Sequence, residues 1–368
     1  MQRIEKALFL LLRLGLKTCV SDEEALQELS VLKTEDWLVL KQMADKQGVS
    51  AIAFDGLNRI CQKYGKEVSD GIEQMWWKKF ILEWTALMMK IEQKNHQQID
   101  VMKRMSEIWA KEGCRVMVMK GQANAVLYPH SEHRNPGDID CYLFEDYARG
   151  NDIARKVGAK VDEGWYKHSQ IHYQGEMFEN HQFFVHTREG KRSKKLEFLL
   201  EKELRVADYR NFQDTAILLP PTMFNALFLT YHAMTHFLEE GLKLKQVLDW
   251  AMFLKQEQDH VDWLRFYELC KDFHMLRFAN AMTDISVNLL GIKITNHLLV
   301  AESPYTERIV QSALHDDDYV FSTGTGWQNR WHIIQNLFRY RWKYHKIYQE
   351  SILKQLWYYA TGYLFKTE

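Results

Sequence analysis

VMVMKGQANAVLYPHSEHRNPGDIDCYLF, residues 116–144, carries the pattern on which the fold turns. Asp138 and Asp140 stand one residue apart between a Pro136-Gly137 turn and the apolar run Cys141-Tyr142-Leu143-Phe144, which reads as an extended strand. Side chains at i and i+2 of a strand share a face, so both carboxylates point the same way at the strand's opening. Like charges so placed repel unless a cation or a proton separates them, and the pair outlines a Mg²⁺ site.

The upstream half supplies what a metal-bound triphosphate needs. Val116 to Met119 reads as a short buried strand, Lys120-Gly121 as a turn without bulk, and Gln122 to Tyr128 as a short helix stopped by Pro129. A strand, a glycine turn and a helix N-terminus present backbone N–H groups to an anion. Lys120 adds positive charge there, and Arg134 is placed to reach a phosphate or to pair with an aspartate.

Lys120-Gly121, Tyr128-Pro129, Arg134 and Gly137-Asp138-Ile139-Asp140 followed by an apolar strand resemble the uncharacterised bacterial nucleotidyltransferases of the DNA polymerase beta superfamily. The resemblance is specific from Cys114 to about Phe184 and weaker from about Pro220 to Leu254. It implies that Asp138 and Asp140 hold a catalytic Mg²⁺, with Mn²⁺ as an alternative, and that a neighbouring strand adds a third carboxylate. The most similar context for that acid is Met177-Phe178-Glu179-Asn180-His181, which puts His181 on the face of Glu179. Glu176, against a turn, and Glu197, in a stretch that reads as a surface helix, are rivals; the parity and flanks of its strand favour Glu179. The chain departs from the family in having Gln122 where a serine is usual, in a longer loop before Asp138, and in Asn180 beside the third acid.

The family also has a His-rich helix followed by a basic residue and an aspartate four later. Here His232, His236, Lys245 and Asp249 fit. Lys120, Gly121, Gln122, Arg134 and Lys245 are therefore expected at the nucleotide. A plain Lys245–Asp249 surface pair is the other reading of that spacing. His232 and His236 stand at i, i+4, a spacing that grips zinc, but no Glu or Cys completes the motif. As histidines facing the sheet they are expected, with His181, to support the site from behind its ligands.

With 368 residues the chain exceeds one ordinary core, and an α+β fold in three parts is expected. Residues 1–112 read as helical, 113–210 as a small mixed-sheet nucleotidyltransferase core of polymerase beta type, and 211–368 as helical again. Ser21 to Glu24 is a capping box, Thr34 and Ser50 read as N-caps, and Gly48 and Gly65 as helix stops. From about Asp70 to Glu112 one long helix or two nearly collinear ones are expected, with Trp76, Trp77, Trp84, Met88 and Met89 packed in a core.

The 48 basic and 49 acidic residues balance, which argues against a protein that coats nucleic acid; any such contact is a local patch. A basic-aromatic cluster near the end, Arg339 to Lys346 with Arg330, Trp331 and Trp357 to Tyr359, is the candidate patch, or a set of buried rings with snorkelling cations. Five scattered cysteines read as buried, reduced thiols of a cytoplasmic protein. Arg13 and Lys17 interrupt the apolar N-terminal run, so a packed helix is expected there, with no signal peptide and no membrane span.

These readings converge on a Mg²⁺-dependent enzyme that moves a nucleoside monophosphate from a nucleoside triphosphate such as ATP to a hydroxyl of a protein, an RNA or a small molecule. The alternative is a degenerate member that binds a nucleotide or a partner protein and catalyses nothing.

Overall fold

In the computed structural model, described over residues 1–187, 190–205, 208–315 and 334–357, five helices precede the sheet. They are α1 (Arg3–Gly15), α2 (Asp22–Leu29), α3 (Thr34–Lys46), α4 (Ser50–Val68) and α5 (Gln74–Lys111). Every residue from Ala7 to Leu12 is buried, so the middle of α1 packs within the helical core, while Arg3 and Lys6 near its start are exposed. Ser21 caps α2, its Oγ accepting the Glu24 N–H at 2.9 Å. At α3 and α4 the expected caps are displaced by one residue, to Lys33 and Val49. Asp36, in the first turn of α3, accepts the Lys33 N–H at 3.0 Å. Gly65 does not stop α4, which continues to Val68 past non-helical dihedrals at Tyr64 (φ −132°, ψ 35°).

The 38 residues of α5 span about 57 Å and serve two cores. At its start Trp77 meets Trp37 edge-on at 5.3 Å and Phe80 meets Trp84 at 5.5 Å, within a helical core that draws on both ends of the chain. At its end Val101, Met105 and Trp109 pack beneath the sheet. Met89 lies outside this packing and is exposed.

The sheet comprises β1 (Met117–Met119), β2 (Ile139–Tyr142), β3 (Lys160–Asp162), β4 (His168–Tyr173) and β5 (Glu176–His181), in the order β1-β2-β5-β4-β3. Only β2 and β5 run parallel; the other pairs are antiparallel. Short α6 (Gly121–Ala125) follows β1, and α7 (Tyr147–Lys156) covers the sheet's apolar side after β2. The edge strand β3 was not foreseen: Lys-Val-Asp is polar and largely exposed, with no alternation to betray it.

Beyond the sheet come α8 (Lys191–Arg205), α9 (Thr222–Glu239), α10 (Leu244–Glu257), α11 (Trp263–Asp272), α12 (Leu276–Asp284) and α13 (Thr306–His315). Of the basic-aromatic cluster, Tyr340 and Tyr344 are buried, the Tyr344 hydroxyl donates to the Leu238 carbonyl at 3.1 Å, and Trp342 packs edge-on against Phe237 at 5.6 Å. These rings form core, which sets aside the base-stacking reading for them; Arg330, Trp331, Tyr358 and Tyr359 lie outside the described residues. All five cysteines are free thiols, and Cys19 is exposed where a buried thiol was expected. No helix among the described residues is long and apolar enough to cross a membrane.

Helices α1 and α4 touch backbone to backbone through Gly15 and Gly56. A methyl group at Gly56 would overlap the Leu11 carbonyl oxygen, and one at Gly15 the Ile52 carbonyl oxygen. Gly56→Ala should therefore destabilise the protein by about 3 kcal/mol, read as a lowered urea midpoint at unchanged slope.

Candidate active site

The two-residue period of the strands assembles the site on one sheet face. Asp140 of β2 is in register with Glu179 of β5, Glu179 with Gln170 of β4, and His181 with His168. Asp138, just ahead of β2, falls on the same face two residues before Asp140. The other face carries Ile139, Cys141, Ile171 and Phe178 into the core under α5 and α7. Asn180 also lies there. Its side-chain amide donates to Asn151 Oδ1 at 2.9 Å and the Tyr147 carbonyl at 3.1 Å, tying β5 to α7, which accounts for a polar residue beside the third acid.

Facing oxygens of Asp138, Asp140 and Glu179 all lie within 4.8 Å of one another. The three are not equivalent. Asp140 is buried, with Lys120 Nζ 2.5 Å and His181 Nε2 2.9 Å from its Oδ1. Burial would raise its pKa, but the Lys120 charge and the His181 hydrogen bond overcome this and hold the carboxyl well below the usual range. The same contacts hold Lys120 and His181 above their ordinary values, against burial that lowers both. Asp138 is half-buried, and its carboxylate makes no hydrogen bond or ion pair with any described residue. Glu179 stands 3.3 Å from His168 Nε2 and 3.6 Å from His181 Nε2.

The rival acids are elsewhere. Glu176 is paired with Lys94 at 2.6 Å. Glu197 is buried, not on the surface as expected, and accepts the backbone N–H groups of Phe184 and Val185 at 2.9 to 3.0 Å. Burial pushes its carboxyl up to about 7, against the pull of those N–H groups.

Lys120 reaches Asp140 from a strained backbone. Its φ of 48° and ψ of −138° are costly for a residue with a Cβ, on the order of 1–3 kcal/mol, and such strain gathers at functional sites. Gly121 follows with φ +25°, and a Cβ there would meet the Asp138 carbonyl oxygen at 3.6 Å, so this turn runs alongside the acidic strand.

Gln122 does not join them. Its amide donates to Asn95 Oδ1 at 2.7 Å and Gln98 Oε1 at 2.8 Å, both on α5. Gln98 donates in turn to the Gly137 carbonyl at 2.5 Å, and Asn95 to the Arg134 carbonyl at 2.9 Å. The side chain expected at the nucleotide instead orders the loop before Asp138, because buried amides must be satisfied and α5 offers the partners.

Two further clamps hold this loop. His133 bridges Asp55 of α4 at 2.7 Å and Glu92 of α5 at 2.8 Å. Arg134 makes a two-pronged pair with Asp249 of α10, both bonds at 2.8 Å, and Tyr128 donates to the same carboxylate at 2.8 Å. Asp249 is thus buried and taken by Arg134, and the Lys245–Asp249 surface pair does not form.

A cavity of about 430 Å³ opens between the polar sheet face and helices α9 and α10. Asp138, Asp140, Glu179, Lys120, Gly121, Arg134 and Lys245 line it, as do His232 and His236; His181 stands behind Asp140 and Glu179. The His232 and His236 rings meet at 3.1 Å, and His236 Nδ1 bonds Glu240 at 2.8 Å. Among the described residues neither belongs to a three-ligand group, so the zinc reading of their spacing finds no third donor. Burial and the Lys120 charge hold His232 neutral.

The segment 163–168 adds wall residues that sequence reasoning missed. Lys167 makes no ion pair with a described residue, and burial with the nearby Lys120 charge lowers its pKa. Burial pushes His168 down to about 4, even with Glu179 beside it. Trp165 is half exposed at the cavity and stacks over His168, ring centres 6.1 Å apart. Parity from Glu179 across the hairpin would have found His168; Lys167 and Trp165 precede the strand and carry no such signal.

A small mixed sheet that gathers three carboxylates at a cavity also lined by lysines and an arginine, with helices packed around it, is the arrangement of a nucleotidyltransferase core. The chain belongs to the family described as "Uncharacterised nucleotidyltransferase", whose model matches residues 33–291, from the helices before the sheet to those beyond it. No curated protein and no solved structure matches the chain.

The His133 clamp makes stability depend on pH. Burial lowers the pKa of His133, but Asp55 and Glu92 more than offset it and hold the ring at about 9, above its ordinary 6.5. A raised folded-state pKa stabilises fully below the unfolded value and is lost as pH rises through the folded one. Urea unfolding should therefore show about 2 kcal/mol lost between about pH 6 and about pH 9.5, allowing for solvent screening at Glu92, and His133→Gln should flatten that loss.

Proposed function

We propose that the protein transfers a nucleoside monophosphate from a nucleoside triphosphate to a hydroxyl acceptor, releasing pyrophosphate, with a divalent cation held by Asp138, Asp140 and Glu179. The observation that carries this is the convergence of three carboxylates on one sheet face at a cavity that Lys120, Arg134, Lys167 and Lys245 also line. An all-oxygen donor set with two members open to the cavity suits a hard ion, Mg²⁺ first and Mn²⁺ as a substitute. Bound there, the ion supplies Lewis-acid stabilisation of phosphate charge and eases deprotonation of the attacking hydroxyl.

The chain's own residues do the positioning. Lys120 and His181 hold Asp140 ionised and fixed, so the acid needs no reorganisation when a cation arrives. Lys167 and Lys245, both depressed by burial, regain favourable surroundings beside phosphate oxygens, and Arg134, locked by Asp249, presents a rigid charge to the same wall. The Gly121 turn admits the triphosphate close to the backbone. Trp165, with a free face at the cavity, stacks the nucleobase. The fold is read as polymerase beta-like, and residues 113–210 as the catalytic part between helical regions 1–112 and 211–368.

A second reading, nucleotide binding without turnover, draws on Asp140 being already neutralised by two cationic side chains. The departure at Gln122 no longer supports it, since that side chain serves the loop.

An enzyme should release pyrophosphate from a nucleoside triphosphate with Mg²⁺ or Mn²⁺ when given lysate as a source of acceptors. Asp138→Asn should cut the rate at least about 100-fold while nucleotide binding persists. Mass spectrometry of the mixture would show whether protein, RNA or small molecule gains the nucleotide; affinity with no pyrophosphate under any of these conditions would favour the binder. Trp165→Ala should raise KM for the triphosphate about 10-fold, with Trp165→Phe close to the parent, as expected for a stacking face.

A further inference from the structure

Glu179 belongs to two groups of potential ligands. Besides the carboxylate trio, His168, Glu179 and His181 bring one ligand atom each within 4.8 Å of one another. We infer that His168, His181 and Glu179 form a second metal site, distinct from the all-oxygen trio and suited to a transition-metal ion of the Zn²⁺ class.

The spacing supports a shared ion. Glu179 Oε1 lies 3.3 Å from His168 Nε2, and its Oε2 lies 3.6 Å from His181 Nε2. An ion with bonds of about 2.0–2.1 Å to tetrahedrally arranged donors separates those donors by roughly 3.4 Å. The two imidazoles approach from adjacent strands in register, ring centres 5.3 Å apart and tilted by 48°, so their nitrogens converge without stacking.

The surroundings are built as metal sites are built. His181 Nδ1 faces the Phe183 carbonyl at 3.2 Å and donates to it, which fixes the ring and aims Nε2 at Glu179 and Asp140. In the ion-free protein a proton on Nε2 serves Asp140; an ion takes that proton's place, and the proton leaves to solvent. Among the described residues His168 Nε2 has only the long contact to Glu179, so ligation would give this nitrogen a strong interaction that no described residue supplies, while its buried Nδ1 has no partner there. Three protein ligands leave a fourth position toward the cavity, which both His168 and Glu179 line.

Donor chemistry separates the two sites. Imidazole nitrogens suit Zn²⁺, Co²⁺ or Ni²⁺, whereas Mg²⁺ keeps to oxygen. Because Glu179 is common to both, an ion on the histidines draws this carboxylate from the trio or bridges the two ions, and transition-metal loading then tunes the affinity of the trio for Mg²⁺. The inference stands apart from nucleotidyl transfer, since it concerns binding with no nucleotide present.

The test is titration of metal-stripped full-length protein with Co²⁺, which reports nitrogen ligation by visible absorption, followed by displacement with Zn²⁺. One equivalent should bind with visible bands that persist in Asp138→Asn, and the affinity should fall about 100-fold in His168→Ala. If thermal melting shows that variant poorly folded, His168→Gln is measured in its place. Bands that are unchanged in the folded His168 variant, or that vanish in Asp138→Asn, would overturn the site and assign the ion to the carboxylate trio. Pyrophosphate release in Mg²⁺ alone reports on the transfer reading separately from either outcome.

Discussion

The parallel pairing of β2 with β5, with Asp140 opposite Glu179, is the constraint from which the rest follows. It sets two carboxylates side by side and adds Asp138 at the strand's mouth. Like charges about 4 Å apart in partly buried surroundings cost roughly 4 kcal/mol, so a fold that builds this cluster must also supply cations. The fold does so asymmetrically. Lys120 and His181 serve the buried Asp140, His168 and His181 stand against Glu179, and Asp138 at the strand's mouth is paired with no described residue. Lys120 arrives by a backbone conformation that a lysine adopts only under compulsion, which indicates that the contact with Asp140 outweighs the strain.

The loop of residues 126–138 is a second consequence of the same requirement. It delivers Asp138 to the cluster and has almost no regular structure of its own, so its backbone and charges are satisfied by three helices from distant parts of the chain. Asn95 and Gln98 take its carbonyls, Asp55 and Glu92 hold His133, and Asp249 holds Arg134. Each clamp comes from another element, so the acidic strand is positioned by the helical body as much as by the sheet.

Much of this was legible in the sequence, for reasons that are local. Alternation on Met177 to His181 placed Glu179 and His181 on one face, and the i, i+2 acids declared a strand mouth; both depend on a two-residue period that short segments express. The long helix of Gln74–Lys111 was readable from the helical spacing of its own apolar residues. What escaped depends on contacts between remote residues. Glu197 looked like part of a surface helix because nothing nearby shows that its carboxylate caps the Phe184 and Val185 amides. Asp249 looked like a partner for Lys245 because the spacing fits, whereas Arg134, 115 residues away, has the better geometry. Gln122 looked like a phosphate ligand because it follows the glycine turn, but α5 passes beneath it. Lys167 and Trp165 sit in a connection with no periodicity at all.

One helix, α5, passes from the aromatic core of the N-terminal helices to the underside of the sheet without a break. It acts as a beam common to both halves of the molecule. Bending between those halves would require opening a run of its backbone hydrogen bonds, so a clamshell motion about this beam is disfavoured. Any opening of the cavity then falls to smaller parts of its rim, such as the short connection that carries Trp165 and Lys167.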